Sequence, residues 1–490
     1  MLSIILKPDL RYPTDSEGFS PSETFPEYKY PHLSSVRNNS YSAVRECFAQ
    51  AGLDASRYGS PEWNPLGVFV KPGSKVFVLC NFVQHRRANE SVQEFFAKCT
   101  HGSVLRAVVD YLLLATGDSG QITFGNAPLQ SANWNSVLQE TGAQAVLDFY
   151  RSVGAPVNQK DLRLLVSERS RSGNIRHHEE RDAEDAITFD LGTQSLLAAL
   201  TNGHKPNFRV SDYNPDRTEN FHANGRHAYA IHKEIFAADV VFSLPKLKTH
   251  QKVGLTCGLK GFVGTVAHKD CLAHHRFGPP QAGGDEYPQD RTGILRQVST
   301  FHDLVQRTSA TTSRGNILRV IDRLTRGAAN QVAPITAGSW HGNDTAWRMA
   351  LDVARIVING DANGVLHNEP QRLHLSLIDG IVGGEGEGPL KPMPVNVGAL
   401  VFSDDVALGD WAAASMIGFD PQKLPIIREV FRQALLISRS HPEKEEAVLN
   451  GSQTTLSSFA DDLDLSFAPP IGWRGFVEKD QRVGAEVRAL

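Results

Sequence analysis

Cysteine is sparse in this chain of 490 residues, and the five present never fall in a C-x-x-C pair. Cys47, Cys80, Cys99, Cys257 and Cys271 therefore offer no disulfide framework, zinc knuckle or sequence-local iron–sulfur motif. Free, mostly buried thiols are expected. Long apolar runs are missing too. No stretch approaches the roughly 20 residues that a membrane-spanning helix needs. The N-terminal MLSIILKPDLRYP is broken by Lys7 and Pro8 before it could act as a signal peptide. A cytoplasmic location, without a membrane partner, is the expectation. Neither charge sign is in excess: a formal net charge of −4 gives no global field toward nucleic acid. The Gly-rich loops match neither G-x-G-x-x-G nor G-x-x-x-x-G-K-[ST], so no nucleotide fingerprint of those kinds is present.

What the chain does have is one dense stretch, residues 239–275, reading DVVFSLPKLKTHQKVGLTCGLKGFVGTVAHKDCLAHH. Its opening VVFSL has the length and β-branching of a buried strand. Pro245, with no N–H for a ladder, is expected to end it. Lys246, Lys248, Thr249 and His250 follow at once. A Gly-spaced segment then carries Thr256, Lys260 and Gly264, and His268, Lys269, His274, His275 and Arg276 close the stretch. Open α/β sheets bind ligands at the carboxyl ends of their strands, so this burst of cationic and imidazole groups is the candidate site. A solvated basic loop is the alternative; the regular interleaving of apolar and Gly positions opposes it.

Upstream, KVFVLCNFVQ reads as a strand and residues 102–115 as a helix. The segment after Gly117 reads as a strand, residues 136–151 as a helix and LRLLVSER as a strand. That β-α-β-α-β order predicts an α/β fold with a largely parallel sheet and crossover helices, Rossmann-like in its layers. Asn81 and His101 fit a βα loop facing the site. Residues 1–70 read as an N-terminal arm and 71–425 as the α/β domain, with a helical and loop excursion at 276–350. Residues 426–490 read as a last helix and tail.

The stretch P-K-L-K-T-H, followed by T-x-x-x-K-x-x-x-G at Thr256, Lys260 and Gly264, resembles the signature of the DUF362 family, a domain of unknown function. A second block, DGIVGGEGEGP at 379–389 followed by SDDVALGDWAAASMIGFDP, resembles the same family. The resemblance covers roughly residues 70–425 and implies an α/β fold but little biochemistry. Many members carry ferredoxin-like cysteine clusters, which would imply an iron–sulfur redox role; this chain departs from that. A shorter pattern is similar to the surroundings of the cofactor-bearing lysine of the lactate racemase family, which moves a hydride at a 2-hydroxy acid with a nickel-pincer nucleotide. His250, Lys260 and His275 would take those places, although the Gly-Gly before that lysine is absent here.

Carboxylates supply the remaining candidates. Asp379, at the end of a strand-like LSLI, with Glu385 and Glu387 in the Gly-rich block, has the oxygen donors for Mg²⁺ or Mn²⁺; the same three could instead partner the lysines. Asp285 and Glu286 lie in one loop with His274 and His275, a donor set that also suits a divalent metal, Zn²⁺ included. His177 and His178 beside Glu179 and Glu180 form a third set, in the charged segment 170–185. Solvated turns are the alternative for all three. Asn343 or Asp344 is expected to cap the helix that follows.

Together these readings predict an enzyme acting on an anionic small molecule that bears phosphate or carboxylate. Lys260, His250 and His275 are its catalytic candidates, and Lys246, Lys248, Thr256, His268 and Arg276 would bind substrate. A divalent metal would sit at the carboxylates. An iron–sulfur-associated redox protein and a non-catalytic anion-binding or scaffold protein are the alternatives.

Overall fold

In a computed structural model, the chain is described over residues 1–14, 18–169, 175–201, 207–290, 293–308, 312–433 and 435–479. A mixed sheet of eleven strands organises it. Leu373–Glu387, Val240–Leu244, Lys75–Cys80, Gln121–Asn126 and Val157–Asp161 run parallel in that spatial order. Beyond Leu373–Glu387 the sheet turns antiparallel, through Lys391–Ser403 and then Leu2–Leu6. Glu446–Leu449 and Ser452–Thr455 complete that edge.

Alternation along each strand divides two cores. Val76, Val78 and Cys80 face one side with the helices Asn39–Gln50, Gly102–Thr116 and Ala143–Ser152. Phe77 and Leu79 face the other, with Ala346–Asn359 and Val406–Met416. This period of two, with both faces buried, is why the central strands read as apolar runs. No helix among the described residues is long and apolar enough to cross a membrane.

Pro245 ends the strand Val240–Leu244 as expected, but its carbonyl accepts from Asp379 N at 2.8 Å, and the chain resumes at once as a new strand, Lys246–His250, beside the far half of Leu373–Glu387. Three expectations need correction. The last parallel strand is Val157–Asp161, reading VNQKD. Leu165–Arg169 instead pairs antiparallel with Ile175–Glu180 outside the main sheet. An edge strand need not be apolar on both faces, so its pattern is weak. The Gly-rich acidic block is the outer half of Leu373–Glu387, not a loop. Finally, both chain ends enter the sheet: Leu2–Leu6 lies between two strands, and the tail contributes two more.

Candidate functional site

The strand Lys246–His250 begins the site. It is buried at every position, and its period of two sends Lys246 and Lys248 to one face. Lys246 Nζ lies 3.0 Å from Asp379 Oδ2, both side chains fully buried. Tyr12 donates to Asp379 Oδ1 at 2.6 Å and accepts from Lys246. The His101 amide also donates to Asp379, at 3.2 Å. Burial pulls the Lys246 ammonium down while Asp379 opposes the shift. The His101 ring, stacked on Tyr12 at 4.0 Å, is pushed down to about 3 by burial and Lys246 and is neutral. Lys248 donates to Asn81 and to the Lys98 carbonyl; burial lowers it to about 7. These two lysines are thus engaged by the protein's own acceptors and tie the N-terminal segment to the sheet.

Past His250 the environment changes. Lys260 sits on the short helix Cys257–Gly261, which Asp410 anchors by accepting from the Gly258 and Leu259 amides at 2.7 and 2.9 Å. Gly264 lets the next turn press against the parallel strands: a Cβ there would lie 2.1 Å from Asn126 Nδ2. That contact gives the T-x-x-x-K-x-x-x-G spacing its packing reason.

Lys260 is 8 % exposed. Burial and then the neighbouring Lys252 lower its amine to about 8, and no carboxylate among the described residues opposes them. Lys269, held by the Val263 carbonyl at 3.2 Å, is lowered to about 7 by burial and then by Lys260. Lys252, which donates to the Ala337 carbonyl, is lowered by burial to about 8. His250 and His274 are held well below the ordinary imidazole value by burial and then by Lys260; for His275 the causes are burial and then Lys252. His250 Nδ1 accepts the Lys252 amide at 3.1 Å, which puts its proton on Nε2. His274 Nδ1 is 2.6 Å from the Leu272 carbonyl, to which it donates, leaving Nε2 as an acceptor. Thr256 Oγ1 and His275 Nδ1 are buried without partners among the described residues.

The buried Lys260, His250, His275 and Lys269 and the half-buried Lys252 and His274 therefore make one positively biased cluster. A cavity of about 80 Å³ adjoins it, lined by His275, Tyr287, Glu286, His302 and Arg326. The Tyr287 hydroxyl is likewise buried without a partner among the described residues.

The other sequence candidates are taken up by partners of their own, although Glu286 also lines that cavity and Asp285 and Glu286 favour the charge on Lys252. His268 stands 3.5 Å from Asp270 and packs on Phe221. Arg276 is paired with Asp285 at 3.4 Å. Asp285 also accepts from the Arg276 amide at 2.6 Å and from Thr345 at 2.6 Å. Glu286 accepts from the Gly278 amide and from Ser299. Burial raises both carboxyls. Glu385 accepts from the Ala468 amide, and Glu387 from the Ile471 amide and Gln251. Of the five carboxylates read as metal ligands, Asp379 answers Lys246 and Tyr12, and the other four hold loops and the C-terminal segment. No group of three or more His, Cys, Asp and Glu side chains able to hold a metal occurs among the described residues. The five thiols are free and buried. The side chains of His177 and His178 lie outside the described residues. The N-cap position of the helix Ala346–Asn359 is Thr345, not the expected Asn343 or Asp344; Asn343 supports that start by accepting from the Thr345 and Ala346 amides, while Asp344 pairs with Arg348.

Lys252 was missed from sequence. Its signal was position alone: two residues after His250, at the turn that carries the chain toward Lys260.

Residues 188–415 match the family model described as a domain of unknown function, DUF362. A thylakoid-associated protein of Synechocystis sp. is 24% identical over 195 residues, which is 40% of this chain and 37% of that protein. The chain thus aligns with little more than a third of that curated relative's length. Among solved structures, a crystal structure of a Thermotoga maritima protein aligns over 72% of this chain and 53% of that one, at 12% identity and a TM-score of 0.30. That likeness carries no argument. The lysine-bearing stretch and the block at 379–389 both fall inside the matched range.

Proposed function

Residues 188–415 make this chain a DUF362-domain protein, and from that premise we propose that it is an enzyme acting on a small anion bearing phosphate or carboxylate, held at Lys260. One observation carries the reading: Lys260 is buried beside other cations, with no carboxylate among the described residues lowering the cost. An unpaired buried charge costs several kcal/mol, and an anionic ligand is the chemistry that relieves it. Lysines suit such a ligand as point charges. Lys252 and Lys269 add to the field from either side. The neutral His250 and His274 can each exchange a proton with the ligand, and the ligand's own charge would raise their affinity for it. Lys246 and Lys248 hold the strand in place instead of binding substrate.

A divalent cation (Mg²⁺, Mn²⁺ or Zn²⁺) at Asp379, Glu385 and Glu387 is not supported by where those side chains point their oxygens, and no step is routed through one. A non-catalytic anion sensor would use the same site and is separated by turnover.

Inorganic phosphate, pyrophosphate and a panel of 2-hydroxy and 2-keto acids, screened by thermal shift and then by calorimetry, test the proposal. Binding of at least one, lost in Lys260→Ala and partly kept in Lys260→Arg, is the expected result. A panel with no binder, or an anion whose affinity ignores Lys260→Ala, would sink it.

A further inference from the structure

The stretch that carries the site holds five lysines, Lys246, Lys248, Lys252, Lys260 and Lys269. Four of them give protons to the protein. Lys246 donates to Tyr12 and faces Asp379. Lys248 donates to Asn81 and to the Lys98 carbonyl, Lys252 to the Ala337 carbonyl, and Lys269 to the Val263 carbonyl. Lys260 differs. It is buried, yet its amine makes no hydrogen bond and no ion pair with any described residue. An ammonium carries three protons that want acceptors, whereas a neutral amine can stand there with its lone pair free. Burial and Lys252 favour the neutral form, drawing the amine down to about 8. Desolvation and an adjacent cation are the two devices that turn a lysine into a nucleophile.

The groups around that amine suit the same chemistry. Thr256 stands one helical turn before Lys260, on the same face, and its hydroxyl is buried without a partner among the described residues. Lys260 is the first charge acting on both His250 and His274, which are neutral. Their tautomers are opposite. His250 Nδ1 accepts the Lys252 amide, so its Nε2 has a proton to share. His274 Nδ1 donates to the Leu272 carbonyl, so its Nε2 accepts. Neither Nε2 is engaged by a described residue.

We propose that Lys260 forms an imine with its ligand, so that the substrate is a small anion bearing an aldehyde or keto group beside its carboxylate or phosphate. The proposal rests on the anion site proposed at Lys260 and narrows its ligand. The nitrogen lone pair bonds to the carbonyl carbon while the C=O π pair moves to oxygen, where His250 Nε2–H donates a hydrogen bond. Nitrogen then loses two protons, which His274 Nε2 passes in turn to that oxygen. The oxygen leaves as water as the C–O bond breaks and the C=N bond closes. Nothing is oxidised or reduced. The imine takes one solvent proton, and the iminium keeps a positive charge opposite the anionic group.

The test is reductive trapping on the full chain. Pyruvate, glyoxylate, 2-oxoglutarate and glycolaldehyde phosphate are each added with sodium cyanoborohydride near neutral pH, followed by intact mass and peptide mapping. Reduction leaves a secondary amine, heavier by the compound less one oxygen. At least one compound should label Lys260 once per chain, roughly ten-fold or more faster than the exposed lysines, whose ordinary value is about 10.4. Labelling should rise with pH to a half-maximum near 8. Lactate and inorganic phosphate, which lack the carbonyl, should slow it by occupying the site. Lys260→Arg should lose the label and keep part of the phosphate binding; mapping and protection use the unaltered protein and do not depend on that variant folding. Phosphate binding with no label at Lys260 would overturn the imine and leave the anion site standing. A label at Lys260 that neither lactate nor phosphate slows would remove the anion site, and with it this substrate class. Labelling of Lys260 no faster than that of exposed lysines would overturn the proposal as well.

Discussion

At the scale of single residues, the site is a place where stability and ligand affinity oppose each other. Burial and Lys252 hold the Lys260 ammonium near 8, below the value of about 10.4 for an unfolded lysine. Between those values the unfolded chain binds the extra proton, so stability rises with pH across that window and the folded state is penalised below it. Lys260→Met is therefore expected to stabilise the protein by roughly 1–3 kcal/mol at pH 7. Urea unfolding should show the gap closing as the pH passes 8 toward 10. The same linkage sets the pH dependence of binding: the anion needs the ammonium form, so affinity should fall above pH 8, where binding takes up a proton that calorimetry across buffers makes visible. Asp379 is the contrasting case. It answers Lys246, Tyr12 and the His101 amide in full burial. Asp379→Ala should cost roughly 3–5 kcal/mol in chemical denaturation, because it leaves Lys246 buried without its counter-charge.

At the scale of elements, legibility followed how local the cause was. VVFSL and KVFVLC read correctly as strands because burial on both faces leaves an apolar run. The Thr256–Lys260–Gly264 spacing was legible as a unit, and close packing at Gly264 explains it. Gly264→Ala would drive a methyl into Asn126 and should lower stability by roughly 1–3 kcal/mol, with Lys260 displaced and anion affinity reduced in the same variant. The block at 379–389 misled because glycine serves there as a packing residue. A Cβ at Gly384 would lie 2.7 Å from the Ala97 carbonyl, so glycine lets a strand approach its neighbours and signals no mobile turn. Lys246 and Lys248 read as ligand groups for a different reason. Pro245 ends one strand as expected, but a second buried strand starts directly after it where a loop was read. Asn81, Lys98, Tyr12 and Asp379, which consume the two amines, come from four distant places in the chain.

At the scale of the whole molecule, the ends were the least legible. Leu2–Leu6 lies between Lys391–Ser403 and Glu446–Leu449, pairings that span nearly the full sequence and leave no local pattern. Removing residues 1–6 should uncover the edge of Lys391–Ser403 and send the protein into aggregates, measured as loss of the soluble fraction on expression. The central claim is that a buried cluster of lysines around Lys260 awaits an anion. Calorimetric titration of inorganic phosphate and of the 2-hydroxy-acid panel into the protein at pH 7, beside Lys260→Ala, tests it most directly. Saturable binding that Lys260→Ala abolishes and that weakens above pH 8 is the predicted result. No heat from any anion, or equal heats from both proteins, would contradict it.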